Sequence, residues 1–194
     1  MIEHPPSLEH LRGVFARKRQ PATLIDEPGF RKAAVLLPLI GGDAVSVLFT
    51  RRTETLPNHK GQIAFPGGRL EDGETPVQAA LRETTEEIGV EAERVKIWGV
   101  MDEIWTPTGY AITPVVAELD SVAELIPNPR EVARIFTAPL LFFADETAAR
   151  KEEILVDGRV RPVYYYQYDG ELIWGATSLM LRHLLVRLGL LENV

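Results

Sequence analysis

Cysteine is absent from all 194 residues. That excludes a thiol nucleophile, a thiolate zinc site and disulfide staples, and it accords with a reducing compartment. Cationic excess is absent too, since 21 Lys and Arg stand against 28 Asp and Glu for a formal net charge of −7. Such a chain has little general attraction for a polyanion, so no nucleic-acid partner is expected. A small phosphorylated ligand, held by a local basic patch or by metal ions, stays open. No run approaches the ~18 apolar residues of a membrane span, and no basic-then-apolar leader opens the chain. The expectation is a soluble, cytoplasmic protein without a membrane partner.

What is present is ordinary in bulk: 45% hydrophobic and 25% charged residues, near the averages for globular domains. That length and composition predict one domain over residues 1–194, with 1–30 as an N-terminal extension. Within the extension, Ser7 suits a helix cap, and Leu8, Leu11, Val14 and Phe15 recur at helical spacing. Such a helix is a candidate lid over a cleft. Arg31 to Ile40 and Asp43 to Thr50 are apolar runs around Gly41-Gly42, the pattern of a β-hairpin. Short strands are expected at 62–65, 95–100, 110–119, 132–141 and 160–168, and a second amphipathic helix at 176–188. This interspersion predicts a mixed α/β (α+β) fold, a mixed sheet with helices on its faces.

The clearest helix is Thr75 to Ile88, with Pro76 in its first turn and Gly89 as its stop. At ~100° per residue, Val77, Ala80, Leu81, Thr84 and Ile88 form one apolar stripe, while Glu83, Glu86 and Glu87 gather on another face. Like charges three and four apart cost a helix ~0.2–0.5 kcal/mol per pair. Two of these acids also stand in the last turns, where the helix dipole disfavours them. Broken local rules of this kind mark functional sites. A hard divalent cation that takes carboxylate oxygens would offset the conflict.

The stretch Gly68 to Val90 reads GRLEDGETPVQAALRETTEEIGV. It resembles the Nudix box, in which Gly, Glu, Arg-Glu, Glu-Glu and Gly hold the positions of Gly68, Glu74, Arg82-Glu83, Glu86-Glu87 and Gly89. A chance match to these positions is on the order of one in a million at average residue abundance. Thr84 fills an apolar box position; its methyl can face the core while its hydroxyl bonds back to the helix. The resemblance implies a Nudix-type α/β/α sandwich and a Mg²⁺- or Mn²⁺-dependent pyrophosphohydrolase. It implies metal ligation by Glu83, Glu86, Glu87 and the carbonyl of Gly67, with Arg82 orienting the glutamates and Glu74 locking loop to helix. Glu86 is the first choice for general base, and Glu131, in another loop, the second.

Leu48 to Gly68 (LFTRRTETLPNHKGQIAFPGG) is similar to the signature of the coenzyme A pyrophosphatase branch. Thr50, Arg52, Gly61, Gln62 and Phe65 to Gly68 match it, while Pro57 stands where that signature usually has Arg. The implied substrate is coenzyme A, and Thr50, Arg51, Arg52, His59, Lys60 and Gln62 are the implied substrate-binding residues. Extra cations there would recognise a 3′-phosphate. Asn128 to Val132 and Ile173 to Thr177 look like later landmarks of the branch. The alternatives are a Nudix hydrolase of ADP-ribose, NADH, a dinucleoside polyphosphate or a nucleoside triphosphate, or a nucleotide-sensing domain without catalysis. A homodimer is left open as a partner state.

Overall fold

The computed structural model describes residues 5–17, 22–24, 29–156 and 158–194. Helix α1 (Leu8–Arg17) leads into strands β1 (Arg31–Ile40), β2 (Ser46–Arg52), β3 (Ile63–Ala64) and β4 (Gly67–Arg69), then helix α2 (Pro76–Ile88). Strands β5 (Val95–Val100), β6 (Ile104–Thr106), β7 (Tyr110–Leu119) and β8 (Val132–Pro139) follow, then the short helix α3 (Leu140–Ala144). The chain closes with β9 (Ala149–Val156), β10 (Arg159–Tyr168), β11 (Glu171–Ile173) and helix α4 (Gly175–Leu188).

The main sheet runs β3-β2-β1-β7-β5, with β4 added to β1, β6 to β7 and β8 to β2. Only β1 and β7 pair in parallel, so the sheet is mixed as expected. Strand β1 is almost continuously apolar because both its faces are covered. Ala34 and Leu36 meet Ala79 and Ala80 of α2, whereas Leu37 and Leu39 meet the larger core built with α1, α3 and α4. On the edge away from β7, β1 pairs with β2 at Leu39–Ile40 and with β4 at Ala33–Val35. The interruption falls around Pro38, which has no N–H to give to a ladder.

Several expectations shift. The Gly67–Arg69 segment, just past the strand expected at 62–65, is itself a strand. The 149–156 and 171–173 strands were not expected; with β10 they form a separate three-stranded sheet, β11-β10-β9. Their sequences hide this because β9 is mostly polar, ARKEEILV, with Lys151 to Leu155 exposed. Tyr164 and Tyr166 point into the core and Tyr165 outward, the alternation of a strand. Trp174, within the landmark stretch Ile173 to Thr177, is 40% exposed and stacks on Tyr165 at 6.0 Å between centroids.

Of the N-terminal extension, residues 1–4, 18–21 and 25–28 lie outside the described residues. Ser7 caps α1 by accepting the His10 N–H at 3.2 Å. Leu11 and Phe15 are buried in the main core; Phe15 lies 6.0 Å from the Trp98 ring and under the Arg187 guanidinium. A lid made of α1 would have to expose both side chains at each opening. Phe15→Ala is expected to cost about 3–5 kcal/mol of stability, read from the midpoint of urea unfolding. A loss below 1 kcal/mol would mean that α1 is only loosely seated.

Candidate active site

Helix α2 starts where local chemistry demands. Thr75 Oγ1 accepts the Gln78 N–H at 3.3 Å and Gln78 Oε1 accepts the Thr75 N–H at 2.9 Å, a reciprocal cap, with Pro76 in the first turn. Gly89 ends it with φ 71°, a left-handed turn. Thr84, buried, donates to the Ala80 carbonyl at 2.6 Å, so its hydroxyl is satisfied within the helix.

The three helix glutamates do not share one environment. Glu86 is exposed and 3.5 Å from Arg82 Nη1. Glu83 is half-buried, 2.9 Å from the same nitrogen. Glu87 is 3% exposed. The apolar stripe explains the difference only in part, since Val77 and Leu81 are less buried than Ala79. What buries Glu83 and Glu87 is strand β4, lying close along the helix.

That approach requires glycine. A Cβ on Gly68 would fall 2.4 Å from the Glu83 carboxylate, and one on Gly67, whose φ is +153°, would fall 2.3 Å from the Ala34 carbonyl oxygen. The Gly67 N–H then donates to Glu87 Oε2 at 3.3 Å. Arg82 anchors the other end: its Nε and Nη2 grip Glu74 at 2.9 and 3.1 Å, and Nη2 also donates to the Arg69 carbonyl at 2.9 Å. This fork lowers the Glu74 pKa and raises that of Arg82.

Strand β2 delivers Arg52, whose Nη1 lies 3.8 Å from Glu87 Oε1, while its Nε is buried with no protein partner. Arg51 turns the other way, to Glu171 at 3.8 Å and Glu54 at 3.4 Å. Thr50 is buried and its hydroxyl bonds the Ala64 carbonyl at 3.3 Å. His59, at φ 56°, meets Gln62 Oε1 through Nδ1 at 2.9 Å, and Lys60 projects into solvent nearby. So of the six expected substrate contacts only Arg52 touches the glutamate cluster directly.

Two residues outside that expectation organise the rim. Asn128 docks the 126–131 loop on the end of α2: its N–H donates to the Glu87 carbonyl at 2.8 Å, and the Ile126 N–H to the Ile88 carbonyl at 3.0 Å. Thr53 ties the same loop to β2, its N–H donating to the Glu131 carbonyl at 2.9 Å and its hydroxyl to that of Arg130 at 3.1 Å. The sequence signal was an Asn before Pro, a turn former. The loop brings Glu131 near enough for its charge to act on Glu83 and Glu87.

Burial raises the Glu83 pKa, and Glu86 and Glu131 add to the rise against Arg82. Burial pushes Glu87 further, up to about 8, with Arg52 and the Gly67 N–H opposing and Glu131 and Glu83 reinforcing. Four carboxylates thus face two guanidiniums, one of which is largely spent on Glu74. Among the described residues no three acidic or imidazole side chains form a ready metal cage. Mg²⁺ needs none, because it keeps several waters and takes one or two carboxylates. The surplus of buried negative charge fits such an ion.

The NUDIX domain family matches residues 29–158. The chain belongs to the Nudix family. A Photorhabdus laumondii protein named uncharacterized Nudix hydrolase NudL is 37% identical over 155 residues, 79% of this chain and 83% of the relative. A Yersinia pestis protein of the same name is 35% identical over 155 residues, 79% and 78% of the two chains. Among solved structures, the Nudix hydrolase RenU of M. smegmatis is similar at 27% identity and a TM-score of 0.50, covering 64% of this chain and 81% of that one. A Deinococcus radiodurans structure shares the fold, with 18% identity, a TM-score of 0.53 and coverage of 82% and 88%. The protein is therefore a Nudix hydrolase, of a family that generally uses divalent metal ions. Among the described residues no helix is long and apolar enough to cross a membrane.

The Nudix helix carries a testable conflict. The folded protein holds the Glu87 proton more tightly than the unfolded chain, where a glutamate titrates near 4.5. Metal-free stability therefore falls as pH rises from about 4.5 to about 8. Glu87→Gln removes the charge and keeps the acceptor for Gly67. In EDTA it is expected to be about 2–4 kcal/mol more stable than wild type at pH 8 and equal to it at pH 4.5, by urea unfolding. Equal stabilities at pH 8 would refute the buried-charge account.

Proposed function

We propose that this Nudix hydrolase cleaves the diphosphate of coenzyme A and acyl-coenzyme A, releasing 3′,5′-ADP and 4′-phosphopantetheine or its acyl form. The observation that carries the reading is the 48–68 segment. The stretch that resembles the coenzyme A branch signature folds as β2, β3 and β4 and brings both Arg52 and Gly67 to Glu87. In this reading Glu83, Glu86, Glu87 and the Gly67 carbonyl hold Mg²⁺ or Mn²⁺. When bound, such ions activate a water and neutralise charge on the leaving phosphate.

The chain's own groups do the rest. Arg82, held by Glu74, keeps Glu83 and Glu86 in place. Glu86, exposed at the mouth, takes the proton of the attacking water. Arg52, with its Nε unspent, binds a phosphate oxygen. Lys60 and His59 line the outer loop, Gln62 sets the His59 ring, and Thr50 and Arg51 hold that loop on β2, β3 and β11. A second assignment of the base has one observation in its favour: Glu131 stands across from the helix, where its charge reaches both Glu83 and Glu87.

The test is product analysis with coenzyme A, ADP-ribose, NADH and nucleoside triphosphates, each with Mg²⁺, Mn²⁺ or EDTA. The expected result is metal-dependent release of 3′,5′-ADP, with kcat/KM for coenzyme A about tenfold or more above the others. Preferential cleavage of ADP-ribose or triphosphates would discard the substrate and keep the chemistry. Glu86→Gln is expected to lower kcat by about 10²–10⁴; if Glu131→Gln does so and Glu86→Gln does not, the base is Glu131.

A further inference from the structure

We infer that Arg31, Arg69 and Tyr110 form a subsite for a phosphate monoester on the substrate, distinct from the diphosphate that is cleaved. This rests on the coenzyme A reading above, since coenzyme A carries such a group at the 3′ position.

Three strands bring the residues together. Arg69 lies opposite Ala33 across the β4–β1 ladder, and Tyr110 lies opposite Arg31 across the β1–β7 ladder. All three therefore share one face of the sheet. Arg69 donates Nε and Nη2 to the Tyr110 phenol oxygen at 2.9 and 2.6 Å. Arg31 lies over the same ring, with Cζ 4.1 Å from its centroid, and donates Nη2 to the Thr108 carbonyl at 2.7 Å. Both guanidiniums are exposed, and neither has a carboxylate partner among the described residues.

What sets this pair apart is that two guanidiniums meet on one ring without a carboxylate; Arg161, also without an ion pair among the described residues, lies alone over Trp105. Arg51, Arg52, Arg82, Arg94 and Arg134 each have a carboxylate within 4.0 Å. Arg31 and Arg69 bring two like charges onto one ring with only neutral acceptors. An anion between them would offset that repulsion, and guanidinium forks match phosphate oxygens. The Tyr110 side chain and the Thr108 carbonyl hold both guanidiniums in place, so less side-chain freedom is lost on binding.

The place is right as well. Arg69 directly follows Gly68, the glycine against Glu83, and its carbonyl is fixed by Arg82. Successive residues of a strand face opposite ways, so Gly68 faces the α2 carboxylates and Arg69 the far side. Strand β4 pairs only with β1 among the described strands, and its other edge meets no strand but α2 side chains, the Gly67 N–H going to Glu87 and the Arg69 carbonyl to Arg82. A substrate whose diphosphate lies against the helix can pass around that edge and set a second phosphate between the arginines.

The experiment is metal-free calorimetric titration with 3′,5′-ADP and 5′-AMP, ligands that differ by the 3′-phosphate alone. Wild type is expected to bind 3′,5′-ADP at least about tenfold tighter. Arg31→Ala and Arg69→Ala should each erase most of that preference and leave 5′-AMP affinity unchanged. Tyr110→Phe, which keeps the ring and frees Arg69, should lose part of it. No preference in wild type, or a preference that survives both arginine variants, would overturn the subsite. Substrate identity is decided separately by the product panel: coenzyme A cleavage with the preference intact in both variants sinks the subsite alone, and no coenzyme A cleavage sinks the reading on which it rests.

Discussion

A carboxylate at Glu87, almost shut off from water, is what the neighbouring structure is arranged around. One N–H and one guanidinium at 3.8 Å are too little to pay for its burial. The Gly67 N–H and the aim of Arg52 both serve that group, while the bare Cα of Gly68 makes room for Glu83 beside it. A Cβ at Gly68 would press β4 away from Glu83 of α2, and one at Gly67 would press it away from Ala34 and Val35 of β1. The helix would survive on its cap and its alanine face, and the site would not.

The same constraint explains the division of labour among the acids. On a bare helix Glu83, Glu86 and Glu87 would be near equivalents. Pressed against β4, they become one exposed, one intermediate and one buried group, and burial raises the pKa of both Glu83 and Glu87. Arg82 stabilises this gradient by spending its planar fork on Glu74 and a backbone carbonyl while giving one nitrogen to Glu83. A lysine could not do both, having a single nitrogen to offer.

Much of this could be read from residue types and spacing. The start of α2, its glycine stop and the β1–β2 hairpin rest on local rules, whereas the parallel pairing of β1 with β7 joins strands far apart in sequence and was not foreseen. The box glutamates stand out because they break such rules. The second sheet was hidden because β9 is mostly charged and polar and its partner among the described strands is β10 alone, leaving no apolar period to detect. The loop contacts were hidden for another reason. Arg51 and Arg52 are neighbours in sequence, but the two-residue alternation of a strand sends one to Glu171 and the other to Glu87. Thr53 and Asn128 act mainly through backbone bonds, which side-chain identity barely encodes.

The 126–131 loop takes its bearings from the last carbonyls of α2 and from Thr53, so Glu131 is placed by counting residues from the docked Asn128. Substitutions at its tip, Pro129 or Arg130, leave that count unchanged. An insertion or deletion of one residue between Asn128 and Glu131 would displace the acid by about 3.5 Å while every box residue stayed intact. Length, more than identity, is what descent must preserve in this segment. Two homologues with identical boxes and different spacing here would therefore present their fourth carboxylate to different atoms of a bound substrate.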